Sequence, residues 1–320
     1  MPSIHNSDRV KLGVVGVGFM GQLAHLENYV NVDNCDIVAL AELRPELRQK
    51  VCDRHGIPRS YASHTALLND PEVEAVVAIT ARPMTGPVAS DCLNARKHLL
   101  TEKPMAATVE QASELVNISQ ANDLIYSVGY MRRHDEGVQK GKQILDELRA
   151  SDELGPVFAV RVHSFQGDSY CHADGHIVTD ETVPDDSTTW PIAPDWVPQE
   201  RQMDYAWFNN VYCHMFNMVR YLFEKTPAVN FVRLDYQRGR VAVLDFDGFL
   251  GVFHGGNSNA RVWDEVIDIH FTYGRLTFKM PPNLLKNMPA QIELIKEKDT
   301  HEILIPQCDW SWAFRRQAEA

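Results

Sequence analysis

From Val10 to about Gly129 the chain alternates short apolar runs with amphipathic stretches of helix length. VKLGVVG, CDIVALA, EAVVAIT, KHLLTEK and LIYSVGY are the apolar runs, and between them, as in GQLAHLENYV, apolar side chains recur at helical spacing. This alternation predicts βαβ units and a parallel sheet. Residues Asp135 to Leu148 predict a helix leading out of that domain. Beyond Gly155 the texture changes. VFAVRVHSF, VNFVRLDYQ, RVAVLDFD, FLGVFHGG, EVIDIHFTY and RLTFKM are strand-like and joined mostly by short polar or glycine-containing turns, which predicts a largely antiparallel sheet. Gln166 to Gln202 interrupts this pattern with Asp, Pro, Thr and Trp and little periodicity, and a long loop of this kind is expected to cover a substrate. The closing WAFRRQAEA opens a helix with no C-cap signal, as though the chain ended early.

Composition narrows the partners. At 320 residues two domains are expected, and 44% hydrophobic with 23% charged residues is an ordinary globular balance. The 43 acidic residues exceed the 31 Lys plus Arg, giving a net charge of −12 without a basic run, which argues against nucleic acid as a partner. The start lacks a charged leader before an apolar core, and no apolar stretch reaches the roughly 18 residues of a membrane span. The expectation is a cytoplasmic protein with no membrane partner. Six scattered cysteines, at positions 35, 52, 92, 171, 213 and 308, fit reduced thiols; Cys213 adjoins His214 but reads as a spectator.

Gly16-Val17-Gly18-Phe19-Met20-Gly21 satisfies GxGxxG after one strand and at the opening of one helix. In that context the first glycine permits a tight turn, the second admits a pyrophosphate to the backbone, and the third lets helix and strand pack closely. The fold class that follows is an α/β Rossmann dinucleotide-binding domain over residues 8–132. After it comes an α+β domain with a largely antiparallel open sheet over residues 133–320, expected to hold the substrate. Glu42, at the end of the second strand, is placed to accept both ribose hydroxyls of NAD and to repel a 2′-phosphate, whereas Arg44 could receive that phosphate. NAD is favoured over NADP.

A strand leading into Thr101-Glu102-Lys103-Pro104, together with the glycine turn, VGYMRRHD at Val128 to Asp135, LGPV at Leu154 and FRRQAEA at Phe314, resembles the Gfo/Idh/MocA oxidoreductases over nearly the whole chain. The resemblance implies that Lys103 lies beside the nicotinamide, where an ammonium polarises the reacting oxygen and passes a proton. Cofactor contacts are expected from Gly16, Gly18, Phe19, Met20, Gly21, Glu42, Arg44, Thr80, Glu102 and Lys103. Relatives carry an Asp-x-x-x-His helix, and Asn210-Val211-Tyr212-Cys213-His214 occupies that place with Asn217 one turn on. Spacings of four and three put Asn210, His214 and Asn217 on one face, where His214 is the candidate acid/base and all three, with Lys103, are candidate substrate contacts. Three departures stand out: Asn210 replaces the usual Asp, Trp207 and Phe208 replace the glycines normally before it, and Thr80-Ala81-Arg82 replaces Thr-Pro-Asn.

In the loop, Cys171, His172, Asp174 and His176, with His163 nearby, match no metal-ligand spacing, so no metal is expected. Polar side chains with Tyr170, Trp190 and Trp196 as aromatic platforms fit a lid over a hydroxylated substrate. The function expected is an NAD-dependent dehydrogenase acting on a CH–OH group of a sugar, glycoside or inositol, with Lys103, His214 and Asn210 at the reacting centre. Redox-neutral conversion on retained NAD and a non-catalytic dinucleotide-sensing regulator are the alternatives. The resemblance also implies a homodimer or homotetramer formed through the open sheet.

Overall fold

In a computed structural model the described residues are 9–167, 171, 173–184, 188–235, 239–257 and 261–320. Contacts divide them into two compact units, one of residues 1–130, 174–211 and 319, the other of 131–173, 212–318 and 320. The division does not follow chain order. The interrupting loop, expected with the second domain, groups from Asp174 onward with the first, because its backbone bonds there.

The first unit is built on six parallel strands, β1 (Val10–Val15), β2 (Cys35–Ala41), β3 (Arg59–Tyr61), β4 (Ala75–Ala78), β5 (His98–Glu102) and β6 (Tyr126–Gly129), in the order β3-β2-β1-β4-β5-β6. Successive side chains go to opposite faces. Val14 and Leu40 therefore join one core with Leu47, Val51 and Ile57, while Val15, Ala39 and Ala41 join the other with Leu67, Val88 and Leu93. The helix after β1 starts as a π-helical segment, Gly21–Leu26, and continues as α1 (Glu27–Tyr29). Next come α2 (Pro45–His55), α3 (His64–Leu68), α4 (Arg82–Asn94) and α5 (Val109–Ala121). At the start of α5 the Thr108 hydroxyl accepts the Gln111 N–H while the Gln111 amide oxygen accepts the Thr108 N–H, a capping box that fixes where the helix begins.

The second unit carries α6 (Glu136–Ser151), capped by Asp135, and an eight-stranded sheet. Its strands are β7 (Val157–Gln166), β8 (Ala228–Asp235), β9 (Gly239–Asp245), β10 (Leu250–Asn257), β11 (Asp264–Phe271), β12 (Gly274–Met280), β13 (Gln291–Lys296) and β14 (Glu302–Leu304). Only the β7–β10 pair is parallel. The last two strands were not among the runs picked out from the sequence. α7 (Gln202–Phe223) starts among the residues of the first unit and ends among those of the second, and α8 (Ala313–Glu319) closes the chain.

One face of this sheet buries Val160, Val162, Phe253, Ile267, Ile269 and Phe278. Gly141 in α6 lets that helix approach Phe278, and Tyr212 and Phe216 of α7 pack on Phe253. The opposite face places Leu250, Val252 and Phe231 beside an Arg161–Asp268–Thr277 bridge, and all three apolar side chains are more than two-fifths exposed. Among the described residues no helix is long and apolar enough to cross a membrane.

Candidate functional site

The turn between β1 and the following helix opens on a cavity of about 290 Å³. Gly16, Gly18, Phe19, Met20, Gly21, Glu42, Arg44 and Thr80, all expected to touch a cofactor, line it. The glycines serve distinct ends. Gly16 has φ +83°, and a Cβ there would lie 2.3 Å from the Ile79 carbonyl oxygen; one on Gly21 would lie 2.3 Å from the Gly16 carbonyl oxygen. These two hold turn, strand and helix together. A Cβ on Gly18 would meet nothing nearer than Arg44 Nη2 at 3.7 Å. The missing side chain leaves space on the cavity wall, so the turn fits a dinucleotide whose pyrophosphate approaches the backbone.

Glu42 and Arg44 form one device. The buried carboxylate accepts Val17 N–H at 3.0 Å, Arg44 N–H at 3.2 Å, and Arg44 Nε and Nη2 at 2.8 and 3.0 Å. Burial pushes the Glu42 carboxyl up, but the Arg44 and Val17 hydrogen bonds outweigh it and hold the group below the usual carboxylate range. The acid is therefore ionised at neutral pH and Arg44 is engaged by it.

Residues 174–184 and 188–191 run along the same unit. Arg54 Nη1 donates to Gly175 O at 2.6 Å, and the His176 ring meets Phe19 edge-on at 4.9 Å. The Gln22 amide exchanges two bonds with Ile177, 3.0 Å to its carbonyl and 2.7 Å from its N–H. Glu181 accepts the Glu46 and Leu47 N–H groups at the start of α2, Val183 lines the cavity, and Trp190 N–H donates to Pro83 O. These bonds bring the loop against the unit that carries the glycine turn, with Val183 in the cavity wall. Of the aromatic and ligand-type residues singled out there, Tyr170 and His172 lie outside the described residues; among those described, no cluster of three His, Cys, Asp or Glu could hold a metal.

β5 ends at Glu102, and Lys103 follows with a cis bond to Pro104. Lys103 Nζ donates to Asn210 Oδ1 at 3.2 Å and to the Asn210 carbonyl at 3.5 Å. Asn209 and Tyr205, from the same stretch of α7, bond Ala106 O and Ala107 O. Glu102, expected at the cofactor, accepts from the buried His25 Nε2 at 2.9 Å and from the Lys103 N–H at 3.1 Å. It braces the strand end that presents Lys103. Among the residues of the second unit, His214 and Asn217 are buried on α7, and Arg133 Nε donates to Asn217 Oδ1 at 2.7 Å. The sequence reading missed Gln22, His25, Glu181 and Val183. Only Glu181 had a signal, an acid in an aperiodic loop.

A glycine turn on a cavity, an acid on the second strand and a lysine at a strand's carboxyl end define a dinucleotide-binding oxidoreductase domain. Residues 10–130 match the Gfo/Idh/MocA family, described as an oxidoreductase family with an NAD-binding Rossmann fold. It is 23% identical to myo-inositol 2-dehydrogenase of Thermotoga maritima over 83% of this chain and 74% of that one. It is 34% identical to inositol 2-dehydrogenase/D-chiro-inositol 3-dehydrogenase of Lacticaseibacillus casei over 43% of this chain, spanning 40% of the relative's length. Levoglucosan dehydrogenase, solved with NADH and levoglucosan, shares the fold: TM-score 0.72 at 18% identity, covering 97% of this chain and 88% of that one.

Proposed function

We propose that the protein is an NAD-dependent dehydrogenase of a secondary hydroxyl on a sugar, glycoside or inositol, working in the cytoplasm. The observation that carries this is the Lys103 Nζ, set at the end of β5 by Asn210 Oδ1 within the unit whose glycine turn fits a dinucleotide. Nicotinamide, when bound, takes up hydride from the carbinol carbon. One of the chain's own groups, His214 or Lys103 in its unprotonated form, takes the remaining proton from the hydroxyl oxygen, so that an alcohol becomes a ketone with atoms and charge in balance. The ionised Glu42 favours the two ribose hydroxyls of NAD over a 2′-phosphate. The half-exposed apolar side chains on the outer face of the second sheet support covering by a second copy of the chain.

The test is a panel of inositols, sugars and glycosides with NAD and NADP, followed at the nicotinamide absorbance, with light scattering on the same preparation. On the best substrate, Lys103→Met and His214→Ala should each lower turnover by roughly a hundredfold or more and leave NADH binding nearly intact. Turnover within a few-fold of wild type in either variant removes that residue from proton transfer. A wild type that binds NADH yet turns over no polyol leaves a dinucleotide-sensing protein, and a monomer at micromolar concentration removes the self-association.

A further inference from the structure

We propose that Glu181 is a cofactor-selecting residue: its carboxylate fills the corner where the 2′-phosphate of NADP would lie and, by the same bonds, fastens residues 174–183 over the cleft. The inference rests on the dinucleotide reading above and extends it to a residue outside the glycine turn and the second strand.

That corner is formed by chain immediately following β2. Glu42 and Arg44 line the cavity, and α2 begins directly after Arg44. An adenosine ribose received by Glu42 carries its 2′-oxygen toward Arg44 and the first turn of α2, where a guanidinium and unbonded helix N–H groups would together suit a phosphate. In this chain those N–H groups are taken. The Glu181 carboxylate accepts Glu46 N–H at 3.0 Å through one oxygen and Leu47 N–H at 2.9 Å through the other, which also accepts the Thr179 hydroxyl at 3.0 Å. The Glu181 charge also acts on Arg44, which is already held by Glu42. A second anion brought here would displace Glu181 or sit against two carboxylates.

The same bonds close the cleft. On one side of the cavity Gln22 holds Ile177, four residues before Glu181; on the other Glu181 holds α2, and Val183, two residues later, forms part of the cavity wall. The segment is thus fixed at both ends of its crossing, to the helix after the glycine turn and to the helix after the ribose-binding strand. A 2′-phosphate that displaced Glu181 would unfasten the cover, so preference for NAD and slow release of NADH come from one side chain.

NADH and NADPH affinities, read by fluorescence titration, and NADH release, read by stopped flow, test this in wild type, Glu181→Ala and Glu181→Gln. Glu181→Ala should shift the NADPH-to-NADH affinity ratio toward NADPH by roughly tenfold, about the worth of one charge-assisted contact, and speed NADH release by a similar factor. Glu181→Gln, which keeps an acceptor oxygen but no charge, should shift the ratio in the same direction with a smaller effect on release. Ratio and release both within about twofold of wild type in two folded variants would overturn the assignment while leaving the dehydrogenase reading in place. A wild type that binds neither dinucleotide would overturn both.

Discussion

Asn210→Asp, which supplies the carboxylate that the family resemblance leads one to expect, probes the proposed reacting centre. Asn210 Oδ1 accepts from Lys103 Nζ at 3.2 Å, and Asp would keep that oxygen in place while adding a full charge. Two unit charges at this separation interact by about 5 kcal/mol at an effective dielectric of about 20, which is an upper bound. The Lys103 side chain is 17% exposed, so water screens the pair, and the neutral amide bond it replaces must be subtracted. The net gain for the ammonium form is then about 1–2 kcal/mol, which moves a titration by about one pH unit.

The sign follows from the charge. In alcohol oxidation the proton acceptor must be unprotonated, and a new carboxylate stabilises its protonated form. The rising limb of kcat/KM against pH should therefore move about one unit to higher pH in Asn210→Asp. Because position 210 also lies one helical turn before His214, the same substitution in a Lys103→Met background separates the two acceptors. A shift that survives there belongs to His214, and one that vanishes belongs to Lys103. A profile unmoved in a folded, NADH-binding Asn210→Asp variant would refute the idea that Asn210 tunes either group.

Two further outcomes concern the scaffold. Gly86 in α4 lies beneath Trp190, where an added Cβ would fall 2.0 Å from the ring carbon Cε3; Gly86→Ala should displace the indole and lower stability by about 1–3 kcal/mol, seen as a shifted tryptophan emission and a lower Tm, and an unchanged spectrum would contradict the packing. Burial raises the Glu102 carboxyl, but the His25 hydrogen bond and the Lys103 charge more than offset this, leaving it below the ordinary glutamate range. A depressed folded-state value stabilises the fold above the unfolded value and loses that effect as pH falls through the folded one, so the Tm difference between wild type and Glu102→Gln should be full at neutral pH and shrink below about pH 4.5; a gap independent of pH would show that the charge is not what matters.

How much of this could be read from the chain alone depends on the range of the interaction. β1, β2 and β4 are mostly apolar runs because both faces of the parallel sheet are largely buried there, and that signature is local. The glycine turn and Glu42 were legible for the same reason: strand, turn, helix and acid lie within about thirty residues, and the fold requires each type at its position. Lys103 was legible only through its resemblance motif, since a lysine after a strand has no periodicity to set it apart.

The cover over the cleft is a different case. Residues 174–191 have no repeating pattern to betray a partner, and the bonds that hold them cross 155 positions to Gln22 and 134 to Leu47. Gln22 carries no warning either, for a polar residue in an amphipathic helix ordinarily faces water, whereas here it is 5% exposed and its amide pairs with a backbone segment as a neighbouring strand would. For Glu102 the motif made the residue conspicuous, but nothing in it announced the bond its carboxylate makes to the buried His25, 77 positions away. A sequence pattern reports which residues an element needs in order to form. Glu181 shows what that leaves out: a helix such as α2 requires some acceptor for its first N–H groups, but nothing in α2 specifies that the acceptor arrives from a loop more than a hundred residues away, and that choice helps bring Val183 to the cavity wall.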